Sequence, residues 1–512
     1  MEQETFEEQE ITVADINANV PQEVQNYLRS FNKAIQEKSL KEIEEHYEYK
    51  WRRTTDQYFK DSRWPEPVYI QAMFEQEGQE DSYFVSLYPE LYYRDVYYRS
   101  SNTNIEITVE DRHASYDHYI ELINMFVEPD APLDLELPNK WLWDMIDEFL
   151  YQFQDFVIFR SRVDDAKTES DYQEIAERPN AWNVTIVLNA LHSLILKSEI
   201  NEQLEAYRSG QNPTEMAGAF GKSSLYKMLG CFSLVGLVRL QCHLGDYRQA
   251  LQIMKNVDLD RRFIFSLVPA CNVSLHYHLG FCYLMLRRYQ DAFRLFESIL
   301  IQMASHRGPG HYDGGRKRDT IVCLLALAYS LLPQRLERSV EHLMNEKEGE
   351  NIRKIQSGEG ADEAINHLLL RGAPRFLCPF LADPQQPPEE DVLKAESERQ
   401  LELFKQEAKQ LILLGQIRSY LKLYTRMKLE KLAKFLELTV PQLRSMLHSF
   451  KHKMSQIVHT PGGEPLAGER QFTDSVDFYV DGDEICIATM TVKKSYGDDF
   501  LTASLKMVTS NR

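Results

Sequence analysis

The residues Gly218-Ala219-Phe220-Gly221-Lys222-Ser223 end like a phosphate-binding loop, in Gly-Lys-Ser. Such a loop wraps phosphate in backbone N–H groups, which requires a glycine five positions before the second one and a strand leading in. Met216 occupies that position and no strand-like run precedes it, so these residues read as a turn between helices. His448 and His452 stand four apart, the spacing of two metal ligands on one helix face. No Glu follows the first and no third ligand lies nearby, so a basic, solvated face accounts for the pair. His276-Tyr277-His278 is the single His-x-His of the chain; it falls in an apolar helical stretch and lacks the downstream Ser and Asp of an isopeptidase metal site. Cys231 with Cys242 and Cys271 with Cys282 are each eleven apart, three helical turns, which suits small core residues better than ligands. Asp144 with Asp147 and Glu148 reads as the outer face of an amphipathic helix. No Ser-His-Asp or Cys-His context stands out. No catalytic, metal or cofactor residue is therefore assigned.

Charge carries a clearer signal. From Gly415 to Met454 there are nine Lys/Arg against Glu430 and Glu437, in a chain whose 78 acidic and 58 basic residues leave it at −20. Lys428, Lys431, Lys434, Arg444, Lys451 and Lys453 are candidates for contact with RNA or with a partner protein. A helix-turn-helix would set such residues against phosphate. A surface meeting acidic neighbours is the competing account, and the anionic balance of the whole chain disfavours a dedicated nucleic-acid binder.

The elements around these residues are mostly helical. A length of 512 residues exceeds one ordinary core and implies several domains or a continuous solenoid. The opening Met1-Glu2-Gln3-Glu4 is acidic where a targeting peptide would be basic, and residues 1–20 are expected as a flexible acidic tail. Seven cysteines without a C-x-x-C pair match a reducing, cytoplasmic compartment. The longest apolar stretch, Met228 to Val238, stops at Arg239 and is about half a bilayer span, so no membrane is expected. Residues 21–220 form a helical domain rich in aromatic residues, such as Tyr47, Trp51, Trp64, Tyr92 and Tyr97. Leu142, Met145, Phe149, Phe153 and Phe156 recur there at helical spacing.

Residues 221–414 are repetitive. Tyr247 and Ala250 correspond to Tyr289 and Ala292 at an offset of 42, and Leu336 with Ser339 takes those roles in a third unit at a further 47. An aromatic or Leu followed three positions later by a small residue lets paired helices approach closely, the logic of tetratricopeptide-like hairpins stacked in a right-handed solenoid. The Gly-rich basic stretch 306–319 and the proline-rich stretch 378–391 read as breaks.

Residues 415–490 change character. Two short helices are followed by a third that Thr439 and Gln442 cap as a box. Val476, Asp477, Phe478, Tyr479 and Val480 then alternate against Ile485 and Ile487 around Asp481-Gly482, a hairpin signal. Three helices closed by a two-stranded wing make a winged helix, and a helical solenoid capped by one is the architecture of a PCI domain. Val476, Phe478 and Val480 are expected to pack on Leu443, Leu447 and Phe450, with Asp477 and Tyr479 outward. The seven wing residues form the expected protein interface, since a small ribbon leaves a pairing edge. Residues 491–512 are expected as a short tail or helix.

The words LELPNKWLWDMIDEFLYQFQDF (135–156), SSLYKMLGCFSLVGLVRL (223–240), RRYQDAFRLF (287–296), IRSYLKLYTRMKLEKLAKFLEL (417–438) and VDFYVDGDEICIA (476–488) resemble the L-subunit family of eukaryotic translation initiation factor three. The similarity runs from about residue 20 to residue 498. It departs from the family in a short acidic tail where some relatives have a tyrosine-rich extension, a shorter and more Gly-rich 306–319 loop, and a short segment after Tyr496. The resemblance implies a non-catalytic scaffold in the factor that binds the small ribosomal subunit and recruits mRNA, lying beside subunits E and K in an arc of PCI domains. A PCI scaffold of proteasome-lid or signalosome type and a nucleic-acid-binding winged helix are the alternatives. The purified chain is expected to show no saturable ATP binding; binding that Lys222→Ala abolishes would contradict the reading of the Gly-Lys-Ser turn.

Overall fold

The computed structural model describes residues 12–79, 82–102, 106–161, 167–257, 264–305, 315–332, 334–378, 392–421, 423–460, 462–472 and 476–489. The expectations for residues 1–11, 306–314, 379–391 and 490–512 lie outside the described residues. The fold is mostly α, with two small sheets near its C-terminal end. Order begins before residue 20: Thr12 and Asp15 form a capping box for helix Val13–Asn19, and Ile16 and Val20 are buried.

Aromatic residues build the first part of the core. Trp51 stacks on Trp64 with centroids 3.9 Å apart, and Tyr47 stacks on Trp141 at 4.9 Å. Three buried indole N–H groups have clear partners: Trp64 donates to Thr55 Oγ1 (2.9 Å), Trp141 to Glu90 Oε2 (3.0 Å) and Trp182 to the Arg112 carbonyl (2.9 Å). Glu90 is also paired with Arg94, whose guanidinium lies over the Tyr47 ring. Helix Asn139–Ser161 buries Leu142, Met145, Phe149, Phe153 and Phe156, as the spacing predicts. Its acidic residues do not decorate an outer face. Asp144 accepts from Tyr47 Oη at 2.6 Å, Asp147 pairs with Arg239, and Glu148 accepts from Gln152 at 2.9 Å. The helix has protein on both sides, so its polar residues bond laterally.

Helices Ser224–His243 and Pro269–Met285 are enclosed nearly all round. The first is the one helix among the described residues long and apolar enough to cross a membrane, and 89% of that window is buried inside the fold. It packs against Asn139–Ser161, Val184–Lys197 and Pro269–Met285, which makes it a core helix. Cys231, Cys242, Cys271 and Cys282 all face inward, and the Cys242 thiol donates across to the His278 carbonyl of the neighbouring helix at 3.9 Å. Burial pushes the Cys231 thiol up to about 12. The imidazoles of His276 and His278 are bonded at Nδ1 to the carbonyls of Asn272 (2.9 Å) and Ser274 (2.7 Å), four residues back. They are satisfied core side chains.

The repeat logic holds in two of the three units. Ala250 and Ala292 are wholly buried, and Tyr247 and Tyr289 are buried beside them. A Cβ added at Gly280 would stand 2.4 Å from the Phe296 ring, so the absence of a side chain there sets how closely helix Tyr289–Ser305 approaches. In the third unit the register is one residue off: Ser339 is exposed and Val340, 3% exposed, turns inward. Helix Arg338–Ser357 is polar enough that a single small residue does not mark its buried face.

Ala292→Leu should overpack the joint between Pro269–Met285 and Tyr289–Ser305 and cost about 1–3 kcal/mol. Urea unfolding of the full chain checks this, and a variant as stable as the parent would show that the joint has slack.

Candidate interface: the wing and its seat

Helices Leu429–Phe435 and Val440–Met454 are joined as the sequence suggests, with Gln442 Oε1 accepting from the Thr439 backbone N–H (3.0 Å) and hydroxyl (2.8 Å). The wing has three strands where two were expected. Strands β4 (Val476–Asp481) and β5 (Glu484–Thr489) form the hairpin, and β1 (Arg426–Lys428) adds to the far side of β5. β1 escaped notice because three residues are too few to show alternation. The turn is also shifted by one residue from Asp481-Gly482. Asp481 and Glu484 close the ladder, and Gly482 with Asp483 makes the turn, with positive φ at Gly482 alone.

One face of the hairpin meets the third helix. Phe478 and Ile485 are buried, the Phe450 and Phe478 rings lie 5.6 Å apart, and Leu443 and Leu447 are buried beneath. Val480 and Ile487 are half-buried, while Tyr479 is 54% exposed on the other face. Val476 pairs with Thr489 through its backbone. Asp477 is bonded rather than free: its Oδ1 accepts the Phe478 N–H at 2.8 Å and lies 3.3 Å from Lys451 Nζ.

Register decides which backbone groups are available. A two-residue turn makes Asp481/Glu484 a hydrogen-bonded pair, and bonded pairs recur at every second residue. Asp477, Tyr479 and Asp481 therefore point their N–H groups at β5, consistent with the Ile487 N–H turning the other way, to the Thr425 carbonyl at 3.0 Å. Val476, Phe478 and Val480 direct theirs to the open side of β4. With the Phe478 N–H held by Asp477, Val480 offers the clearest free donor on that edge.

The six candidate basic residues divide into two sets. Arg444 donates to the Gly482 carbonyl (2.6 Å) and Asp483 Oδ1 (2.8 Å), tying the third helix to the turn. Lys451 holds Asp477, and Lys453 reaches Glu407 Oε2 (2.8 Å) and Gln410 Oε1 (2.6 Å) on helix Val392–Leu421. Lys428, Lys431 and Lys434 are exposed and have no carboxylate partner among the described residues. His448 and His452 are exposed on the same third helix. Among the described residues no group of three or more His, Cys, Asp or Glu could hold a metal ion. At the Gly-Lys-Ser turn, the Gly218 N–H donates to Glu199 Oε2 at 2.6 Å. A carboxylate already fills the place that a phosphate would need.

A second hairpin was not foreseen. β2 (Ser455–Val458) and β3 (Glu469–Phe472) pair, and the connection between them reaches back to the helical repeats. Arg288 Nη1 donates to the carbonyls of Pro465 (2.8 Å) and Leu466 (3.0 Å), and its Nη2 to that of Ala467 (3.2 Å). Tyr283 Oη donates to the Pro465 carbonyl as well, at 2.8 Å. Asp291 holds Arg288 at 2.7 Å and accepts the His459 N–H at 3.0 Å. The Arg288 and Asp291 side chains are 7% and 3% exposed, so the pair is a buried clasp seating the winged helix on the repeats.

Arg288→Ala would leave Asp291 buried without its counter-charge, at a cost of about 3–5 kcal/mol. The connection should then open to Glu-C protease at Glu464, and an unchanged cleavage rate would show that other contacts hold the seat.

The family model described as RNA polymerase I-associated factor PAF67 matches residues 111–507. Subunit L of eukaryotic translation initiation factor 3 from Nematostella vectensis is 40% identical over 494 residues, spanning 94% of this chain and 91% of its own. The Gallus gallus and Homo sapiens proteins of that name are each 42% identical over 474 residues, covering 91% of this chain and 82% of theirs. None of these names carries a catalytic activity. Identity at this level over nearly the whole length of both partners places the chain in the family of eukaryotic translation initiation factor 3 subunit L.

Proposed function

We propose that the chain is a non-catalytic structural subunit of the initiation factor 3 complex, acting in the cytoplasm without cofactor and without a membrane. Its work is to hold other subunits in place, subunits E and K foremost, so that the assembled factor engages the small ribosomal subunit and recruits mRNA. The observation that carries this reading is the near-full-length identity to subunits bearing that name. We further read the chain as an N-terminal helical domain (21–220), a repeat region (221–414) and a winged helix (415–490), the last two acting together as a PCI unit. The open side of β4 supports assembly through the wing. A neighbouring strand can add to that edge backbone to backbone, which tolerates unlike side chains and so suits an arc of non-identical subunits. Val476, Asp477, Phe478, Tyr479 and Val480 supply the edge, and Ile485 and Ile487 hold it against the third helix.

Recovery of the tagged chain with initiation factor subunits, and its sedimentation with small ribosomal subunits, tests membership. Recovery with RNA polymerase I or with proteasome-lid subunits instead would overturn it. Val480→Pro tests the edge, since it removes an outward donor and leaves the inward bonds of Tyr479 and Asp481 intact. The variant should keep parental helical content by circular dichroism yet lose its neighbouring subunits on purification. A variant that still assembles would rule out strand addition at β4.

A further inference from the structure

The end of helix Val392–Leu421 and helix Leu429–Phe435 present a surface that the fold leaves uncovered. Leu423 is 74% exposed and Phe435 44%. The Tyr420 and Phe435 rings stack at 5.6 Å, and Lys431 Nζ lies 5.0 Å from the Tyr424 centroid and 5.8 Å from that of Phe435. Lys428 ends β1 at the N-cap of helix Leu429–Phe435, and Lys431 and Lys434 lie within that helix, three residues apart. All three are exposed, and among the described residues none has a carboxylate partner. Every other basic candidate on the winged helix has one.

We propose that this surface docks an acidic amphipathic helix of another polypeptide in the assembly. Its carboxylates, spaced by helical turns, meet Lys428, Lys431 and Lys434, and its apolar side chains cover Leu423 and Phe435. The inference rests on the reading of the chain as a subunit of a complex.

Charge complementarity is the first argument. A chain at −20 that leaves three neighbouring ammonium groups unpaired presents them to something outside itself, and that partner must be anionic. The apolar component narrows the class. Leu423 and Phe435 gain from leaving water only where the occupant brings apolar surface, which a helix with a hydrophobic face does and a phosphate backbone does not. The rings also argue against single-stranded RNA, whose bases need an open aromatic face to stack on. Phe435 is already stacked by Tyr420, and Lys431 sits over both Phe435 and Tyr424. Lys428 is fixed at the end of β1 and Lys431 and Lys434 on the helix that follows, so the fold leaves little freedom to re-space them and a partner of fixed pitch fits better than a flexible strand.

Leu423→p-benzoylphenylalanine, introduced into the tagged full chain and irradiated within the purified complex, reads the occupant directly. The expected adduct maps to an acidic helical segment of another subunit. Charge reversal by Lys428→Glu, Lys431→Glu and Lys434→Glu should lower its yield about tenfold, with unchanged circular dichroism. In the parent sequence, Leu423→Ser should weaken retention of the same subunit in a salt wash. An adduct removed by nuclease, an adduct on a segment without acidic residues, a yield indifferent to charge reversal, or no adduct while the other subunits are recovered would each overturn the docking surface and leave membership standing. A chain that recovers no other subunit overturns membership and this surface with it.

Discussion

Two helices without a polar face set the terms for the rest of this molecule. Ser224–His243 and Pro269–Met285 bury residues on every side, including glycine, serine and four thiols, so no arrangement that leaves one flank in water is stable for them. Each therefore requires neighbours on both flanks. Asn139–Ser161 and Val184–Lys197 flank the first on one side, and the second packs between the first and helices Tyr247–Ile253, Tyr289–Ser305 and Gly315–Leu331. This continuity explains why Asp147, on a helix of the first region, is paired with Arg239 on a helix of the second. Polar groups trapped along such a seam must find partners there, since an unpaired charge would cost more than the hydrophobic gain nearby could offset.

The same demand shapes the winged helix. In isolation its small sheet would be marginal, yet the Arg288 guanidinium gathers three carbonyls of the β2–β3 connection and Asp291 neutralises it. Lys453 makes a second tie, to Glu407. Basic residues that look like one patch in sequence thus serve two ends: one set fastens the domain, and the other is left for solvent or a partner.

Much of the helical framework was legible because the apolar spacing within it is long and regular. Phe149, Phe153 and Phe156 repeat over several turns, and Tyr289 with Ala292 repeats an earlier pair, so periodicity had enough residues to show itself. The Thr439–Gln442 box and the β4–β5 hairpin were legible for a different reason, being local motifs whose partners lie within a few residues. What escaped was non-local or too short. β1 is defined by a strand about sixty residues away, as its pairing with β5 shows. The β2–β3 hairpin is likewise specified by its seat, because burial of the Arg288 and Asp291 side chains is a property of tertiary packing that no spacing encodes. The Ser339 register failed for want of contrast in a polar helix. For the candidate interface, the residues could be named from alternation, but the direction of each backbone donor could not, since it depends on where the turn closes.

The clasp also bears on the order in which the chain matures. Arg288 and the Pro465 carbonyl it holds are separated by 177 residues, a contact of high sequence separation whose loop must close before the bond rewards it. During synthesis the helical hairpins up to Ser305 can pack from local contacts while the C-terminal strands are still unmade. The β4 edge is therefore made only after the helical repeats on which the clasp closes. A nascent chain is thereby kept from offering an exposed strand to its neighbours early, when pairing with the wrong one would be hardest to undo.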